Sequence, residues 1–251
     1  MSGEFWLTDR QWQRLAPLLP NKPRGVPRVD DRRVISGIIH VLRSGGRWVD
    51  APVSYGPRKT LYNRFVRWAG KGVWARLFQA LAAAGGPPAE LLLDSTHVKA
   101  HRCATGGKGG KKAQALGISR GGRTTKIHAL SDGLGRPLAF ALTPGQSADC
   151  RAAEVLLRSL PTGSLVMADR AYDTNAVRQQ IQNQGAVPNI PPKRNRLWKC
   201  CFSRFLYRGR NAIERMFCRL KDFRRIATRY DKLATNFLAA VQLAAMVSYW
   251  L

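Results

Sequence analysis

The segment Ala82-Ala-Ala-Gly-Gly-Pro-Pro88 separates two stretches whose apolar residues recur with different periods. This change constrains the fold most, because a period of 3.6 requires helices and short apolar runs require strands. N-terminal to it, every recognisable element is helical. Thr8 and Gln11 form a capping box, with Leu7 and Trp12 at the staple positions around it. Asp30 caps a second helix with Val34, Ile35, Ile38 and Leu42 on one face, ended by Gly45-Gly46. A basic, proline-rich connector, 21–28, joins the two. A third helix starts near Gly56-Pro57. Leu61, Phe65 and Trp68 form its apolar stripe, and Thr60, Asn63, Arg64, Arg67 and Lys71 lie opposite. Such a helix suits a DNA groove, although an ordinary basic surface helix has the same pattern. With a fourth helix at 74–81, residues 1–85 are expected to form a helical, helix-turn-helix-like DNA-binding domain. Its expected DNA contacts are Lys59, Asn63, Arg64 and Arg67.

Past the boundary, short apolar runs at 90–94, 124–130, 137–142, 164–169 and 186–190 read as strands. The second and third of these join at the turn Asp132-Gly133-Leu134-Gly135. Helical patterns cover 151–160, a stretch capped by Thr174, and two final segments at 210–223 and 233–250. Strands followed by alternating strands and helices predict an α/β domain over 86–251 with a mixed sheet and flanking helices. Residues 105–122, rich in Gly, Lys and Arg, have little apolar area to bury. They are expected to be a mobile basic loop that can still grip phosphates. They lack P-loop spacing.

The charge balance selects the partner. Forty-two Lys and Arg against fifteen Asp and Glu give a net charge of +27 and a pI near 11.2. Such an excess repels itself unless a polyanion is present, which points to nucleic acid. A membrane surface is the rival polyanion. However, no apolar run reaches the roughly 20 residues of a span, and the N-terminus has no signal-peptide pattern. The expectation is a protein of a reducing cytoplasm whose five cysteines are free thiols.

Acids are therefore the informative residues, and only ten follow residue 86. Asp94 and Asp169 each end an apolar run, and adjacent strands would bring the two carboxylates together. Taken singly, either could be a turn or cap residue. Arg210, Glu214 and Lys221 differ by four and seven and share one helix face, which would also fit a surface row of ion pairs. As a site, Glu214 completes a carboxylate cluster, with Arg210 and Lys221 beside it as phosphate clamps. Phosphodiester hydrolysis needs an activated water and a stabilised leaving oxygen, which a pair of Mg²⁺ ions on carboxylates provides. His97, His101 and Cys103 offer three zinc ligands without a clear fourth, and adjacent Cys200-Cys201 are poorly placed to close one site.

Together, Leu-Leu-Leu-Asp94-Ser-Thr-His, Val-Met-Ala-Asp169-Arg-Ala-Tyr-Asp and the Tyr207/Arg210/Glu214/Lys221 spacing resemble the DDE transposases of bacterial insertion sequences. The match is nearest the "insertion sequence five" family. Trp48-Val-Asp-Ala-Pro with Tyr55-Gly-Pro-Arg-Lys-Thr-Leu-Tyr-Asn-Arg-Phe, then Ser119-Arg-Gly-Gly-Arg-Thr-Thr-Lys-Ile-His and Arg224-Arg-Ile-Ala-Thr-Arg-Tyr-Asp-Lys, extend it over nearly the whole chain. The resemblance implies a ribonuclease-H-like catalytic fold. It implies Asp94, Asp169 and Glu214 as catalytic, metal-binding acids for two Mg²⁺ or Mn²⁺ ions. It also implies Tyr207, Arg210 and Lys221 as contacts to DNA phosphates. The implied partners are terminal inverted repeats and target DNA, bound by a homodimer. Asp173 is the alternative second acid. The alternative functions are a non-catalytic DNA-binding regulator and a host nuclease of the same fold.

Overall fold

The computed structural model describes residues 3–21 and 25–251. Positions 22–24 of the expected connector lie outside the described residues, as do the first two of the N-terminal stretch. Helix α1 (Asp9–Leu15) carries the capping box: Thr8 Oγ1 accepts from the Gln11 amide and the Gln11 side chain accepts from the Thr8 amide. Helix α2 (Asp31–Ser44) is capped by Asp30 and stops at Gly45, whose φ of 78° suits the left-handed turn there. Helices α3 (Arg58–Gly70) and α4 (Val73–Ala83) follow. Gly37 lets α2 approach Tyr55, which is fully buried; a Cβ at 37 would lie 2.7 Å from the Tyr55 Cβ. Gly37→Ala is therefore expected to destabilise the protein by about 1–3 kcal/mol despite the better helix propensity. The shift in denaturant midpoint measures this.

The sheet is built from β1 (Glu90–Ala100), β2 (Gly117–Ser119), β3 (Gly122–Asp132), β4 (Pro137–Pro144), β5 (Leu165–Ala168), β6 (Val187–Asn189) and β7 (Thr228–Arg229). Strand β3 is antiparallel to β1 and β4, whereas β5 runs parallel to β1 and β6 parallel to β5. Five strands thus lie in the order β4-β3-β1-β5-β6, with β2 also on the outer edge of β3. This is the mixed, ribonuclease-H-like sheet that the resemblance implied. Helices cover both faces. On one side α2, α3 and α4 pack with α9 (Asn211–Lys221) and α11 (Ala234–Ala245), which the short α8 (Arg204–Tyr207) and α10 (Arg224–Ala227) respectively precede, against Leu92, Val98 and Met167. On the other, α6 (Cys150–Leu156) and α7 (Asn175–Gln182) cover Leu91, Leu93 and Val166. Among the described residues, no helix is long and apolar enough to cross a membrane.

Two expectations change. First, β1 runs six residues past Asp94. Its polar half, Ser95 to Lys99, reads as a turn in one dimension but pairs with β3 from His128 to Thr124. Second, residues 105–122 form ordered structure. They fold into α5 (Gly110–Ala113) and the β2–β3 hairpin, because backbone pairing and buried polar ties replace the apolar contacts that the segment lacks.

His128 lies fully buried on β3. Its Nε2 is 2.7 Å from Thr143 Oγ1, and its Nδ1 has no hydrogen-bond partner. Burial lowers its pKa to about 4, opposed by the Asp149 carboxylate and aided by Lys126 and His97. The unfolded chain takes up this proton near pH 6.5 and the folded chain only near pH 4. Its contribution is thus intact above 6.5 and lost as pH falls to about 4, roughly 3 kcal/mol in all. Unfolding free energy measured across this window should slope accordingly, and His128→Gln should remove the slope.

Candidate active site

Strand period and register place the two aspartates. Side chains alternate along β1, so Leu92, Asp94, Thr96 and Val98 share the face toward α9, while Leu93, Ser95 and His97 face the other way. The parallel register pairs Leu93 with Ala168. Asp94, the next residue of β1, and Asp169, the first residue past β5, therefore stand near one another at the end of two strands whose backbones run roughly 4.8 Å apart. Asp169 ends β5 and opens a 3-10 turn, Arg170–Tyr172, in which its carboxylate accepts the Ala171 amide at 2.8 Å. The cap role and the site role therefore coexist at Asp169.

Asp94 is 14% exposed. One carboxylate oxygen accepts the Ser95 amide at 2.8 Å and the other accepts Arg210 Nη1 at 2.7 Å. Burial raises its pKa above the ordinary carboxylate range, opposed by the Arg210 cation and the Ser95 amide; the neighbouring Asp169 charge adds to the rise. Arg210 also donates through Nη2 to Glu214 Oε1 at 2.5 Å. A single guanidinium therefore joins the acid on β1 to the acid in the first turn of α9. The Tyr207 ring lies 5.6 Å from that guanidinium. At the other end of α9, Lys221 Nζ donates to Thr96 Oγ1 at 2.7 Å. Thr96, two residues from Asp94, could have been found from the strand period once β1 was known to continue.

The carboxylates supply the hard oxygen donors that Mg²⁺ or Mn²⁺ prefers, and the site already holds a positive charge between two of them. Yet among the described residues no three His, Cys, Asp or Glu side chains come close enough to hold one metal ion. Arg210 occupies the space between Asp94 and Glu214. His97 is within 3.1 Å of the Gly145 carbonyl, and His101 accepts the Cys103 amide. These two histidines thus have protein partners where a zinc cluster was weighed. All five cysteines are free.

Asp173 serves another purpose. Its side chain is wholly buried. Oδ1 accepts Arg178 Nε at 2.7 Å, and Oδ2 accepts Arg196 Nε at 2.9 Å and the Lys193 amide at 2.7 Å. Burial alone would raise its pKa, but these donors outweigh it and hold the carboxyl at about 2. Behind Asp94, on the opposite face of β1, Ser95 Oγ donates to Asp149, which also accepts Lys126 Nζ at 2.9 Å. The sequence reading did not single out Asp149, because its partners come from two other strands.

On α3, Lys59, Asn63 and Arg67 are exposed at spacings of four. Asn63 and Arg67 line a cavity of about 530 Å³ together with Lys71 and Arg76. Arg64 lines the same cavity but is tied back to the helix behind it. It pairs with Asp31 of α2 and stacks 4.8 Å from the Trp68 ring centroid. The physical reason is position: Arg64 adjoins buried Phe65 and precedes Trp68 by one turn, so it sits at the border of the core, where Asp31 supplies a counter-charge.

Two family models match the chain. One described as "Putative transposase of IS4/5 family" covers residues 7–78, and one described as "Transposase DDE domain" covers residues 85–250. A putative transposase for insertion sequence element IS6501 of Brucella ovis is 41% identical over 130 residues, 51% of this chain and 98% of that protein. An uncharacterized 16.2 kDa protein of insertion element IS402 from Burkholderia cepacia is 38% identical over 85 residues, 31% of this chain and 58% of that protein. In fold, the chain is similar to the piggyBac transposase in a synaptic complex with hairpin DNA. The TM-score is 0.52 at 9% identity, over 96% of this chain and 72% of that one.

Proposed function

Since the chain belongs to the transposase DDE-domain family of DNA-cleaving enzymes, we propose that Asp94, Asp169 and Glu214 are its catalytic acids. They would hold two Mg²⁺ or Mn²⁺ ions. The bound ions would activate water and stabilise the leaving oxygen of the cut phosphodiester. The chain's own residues do the positioning. The observation that carries this reading is the register of β1 and β5, which puts Asp94 beside Asp169, with Arg210 linking Asp94 to Glu214.

Arg210 has the central part. Without DNA it neutralises two carboxylates at once. A DNA phosphate offers the same guanidinium a bidentate partner, and Lys221 a second anion. DNA entry would thereby leave Asp94 and Glu214 as the residues to hold the cations. Tyr207, backing Arg210, joins these phosphate contacts. Lys59, Asn63 and Arg67 enter a groove of the terminal inverted repeat, while Arg64 fixes α3 to α2. The protein acts as a homodimer on DNA: it cuts at the element's ends and joins the freed 3′-hydroxyl to target DNA.

The test mixes protein, terminal-repeat duplex and Mg²⁺. Asp169→Ala should bind the repeat like wild type and leave it uncut. Lys59→Gln/Arg67→Gln should lose its preference for the repeat over arbitrary duplex. Wild-type cleavage by Asp169→Ala would overturn the catalytic assignment, whereas cleavage by the wild-type protein without preference for the repeat would favour the host nuclease, and binding without any cleavage the regulator.

A further inference from the structure

Between Asp94 and Asp132 the sequence contains eight Lys or Arg and no acid. Lys126 is spent on Asp149. Five of the others, Lys108, Lys111, Lys112, Arg120 and Arg123, crowd onto α5 and the β2–β3 hairpin. All five are exposed, and none has a side-chain hydrogen bond or ion pair among the described residues.

This tip is held firmly. Thr125 Oγ1 donates to the Ala115 carbonyl at 2.7 Å and accepts from Arg229 Nη1 at 2.8 Å. Arg229 is fully buried. Gln114 Oε1 accepts the Ala234 amide of α11 at 2.7 Å. Gly107 passes so near Lys232 that a Cβ would lie 2.9 Å from its carbonyl oxygen. Ala115, at φ 51°, is the one non-glycine residue with positive φ among the described residues. That conformation costs roughly 1–2 kcal/mol. A buried arginine and a strained alanine thus fix a segment that has almost no apolar surface to bury, and the fixed surface is uniformly cationic.

We propose that this tip is a second DNA-binding surface, a rigid cationic platform that grips the sugar-phosphate backbone of a duplex without reading its bases. Its exposed charged donors are lysine and arginine cations, and Gln114, the residue that follows α5, is engaged internally. The platform adjoins the far end of β1, where Thr124 pairs with both Gly117 and Lys99. Lys99 lies five residues past Asp94, roughly 17 Å at the rise of a strand. That span equals about five base steps. This placement relative to the cut rests on the reading of Asp94 given above; the platform's affinity for DNA does not.

The experiment compares salt dependence of binding to a short duplex of arbitrary sequence and to the terminal repeat. The five-fold variant Lys108→Gln/Lys111→Gln/Lys112→Gln/Arg120→Gln/Arg123→Gln should flatten the log affinity–log salt slope by about 3 to 4 for both duplexes. Preference for the repeat should survive. Arg151→Gln/Arg158→Gln, two exposed cations, one in the first turn of α6 and one just past its end, should leave the slope unchanged. An unchanged slope in the five-fold variant overturns the platform, as does an equal loss per charge in the α6 variant, which would mark a net-charge effect only. Retained platform behaviour alongside cleavage by Asp169→Ala would overturn the catalytic reading alone.

Discussion

Asp94→Asn is expected to slow strand cleavage by about a thousandfold or more while leaving the fold intact. Several kcal/mol of charge stabilisation at a phosphodiester pass through a carboxylate in this role, and each 1.36 kcal/mol is a factor of about ten. The substitution keeps the shape of the side chain and an oxygen for the Ser95 amide. It removes a buried charge whose pKa lies above the ordinary range because burial disfavours it. A carboxyl with a raised folded-state pKa lowers stability at neutral pH, so neutralising it should hold or raise the melting temperature. Arg210 keeps Glu214 as its partner. Cleavage with Mg²⁺ and thermal unfolding on the same preparation check both halves. A lower melting temperature with near-normal cleavage would mean that Asp94 is a structural residue.

Asp173→Ala is expected to have the opposite signature, a loss of stability of about 3–5 kcal/mol. Removing one partner of a buried ion pair strands the other, and Arg178 is buried while Arg196 is mostly so. The Lys193 amide loses its acceptor too. The wild-type pair also sets an acid limit. The folded-state pKa of about 2 lies below that of the unfolded chain. The carboxylate's contribution is therefore complete above the ordinary carboxyl range and disappears as pH falls through about 2, roughly 2 kcal/mol in all. Denaturant titrations between pH 5 and pH 2 should show this fall in wild type and not in Asp173→Ala. Divalent-cation binding in the presence of DNA should persist in Asp173→Ala and vanish in Asp169→Ala. This contrast separates the two acids, which stand four residues apart.

Local signals located the helical half well. The Thr8 capping box, the Asp30 cap, the Gly45 stop and the stripe of Leu61, Phe65 and Trp68 all lie within one or two turns of the residues that they organise. The acids at the ends of apolar runs were legible for the same reason: a charge next to Leu91–Leu93 or Val166–Ala168 conflicts with burial unless something uses it. The pairing of Arg64 with Asp31 was not legible, because helical spacing alone cannot tell a cation in solvent from one that also has a partner across a helix interface.

By itself, the sequence determined which segments are helix or strand, which carboxylates are out of place, and that the partner is a polyanion, since caps, periods and net charge are properties of nearby residues. Only the tertiary structure decided that β1 continues beyond Asp94, that residues 105–122 are fixed rather than loose, that Asp173 is a buried anchor, and that one arginine joins two of the three acids. Each of these depends on partners more distant in the chain, β3 for the strand and Arg229 for the basic tip, 104 residues from Thr125. Asp173 draws on Arg196, 23 residues on, and Arg210 reaches back 116 residues to Asp94. Pairing at such separations is set by which surfaces the folded core brings together.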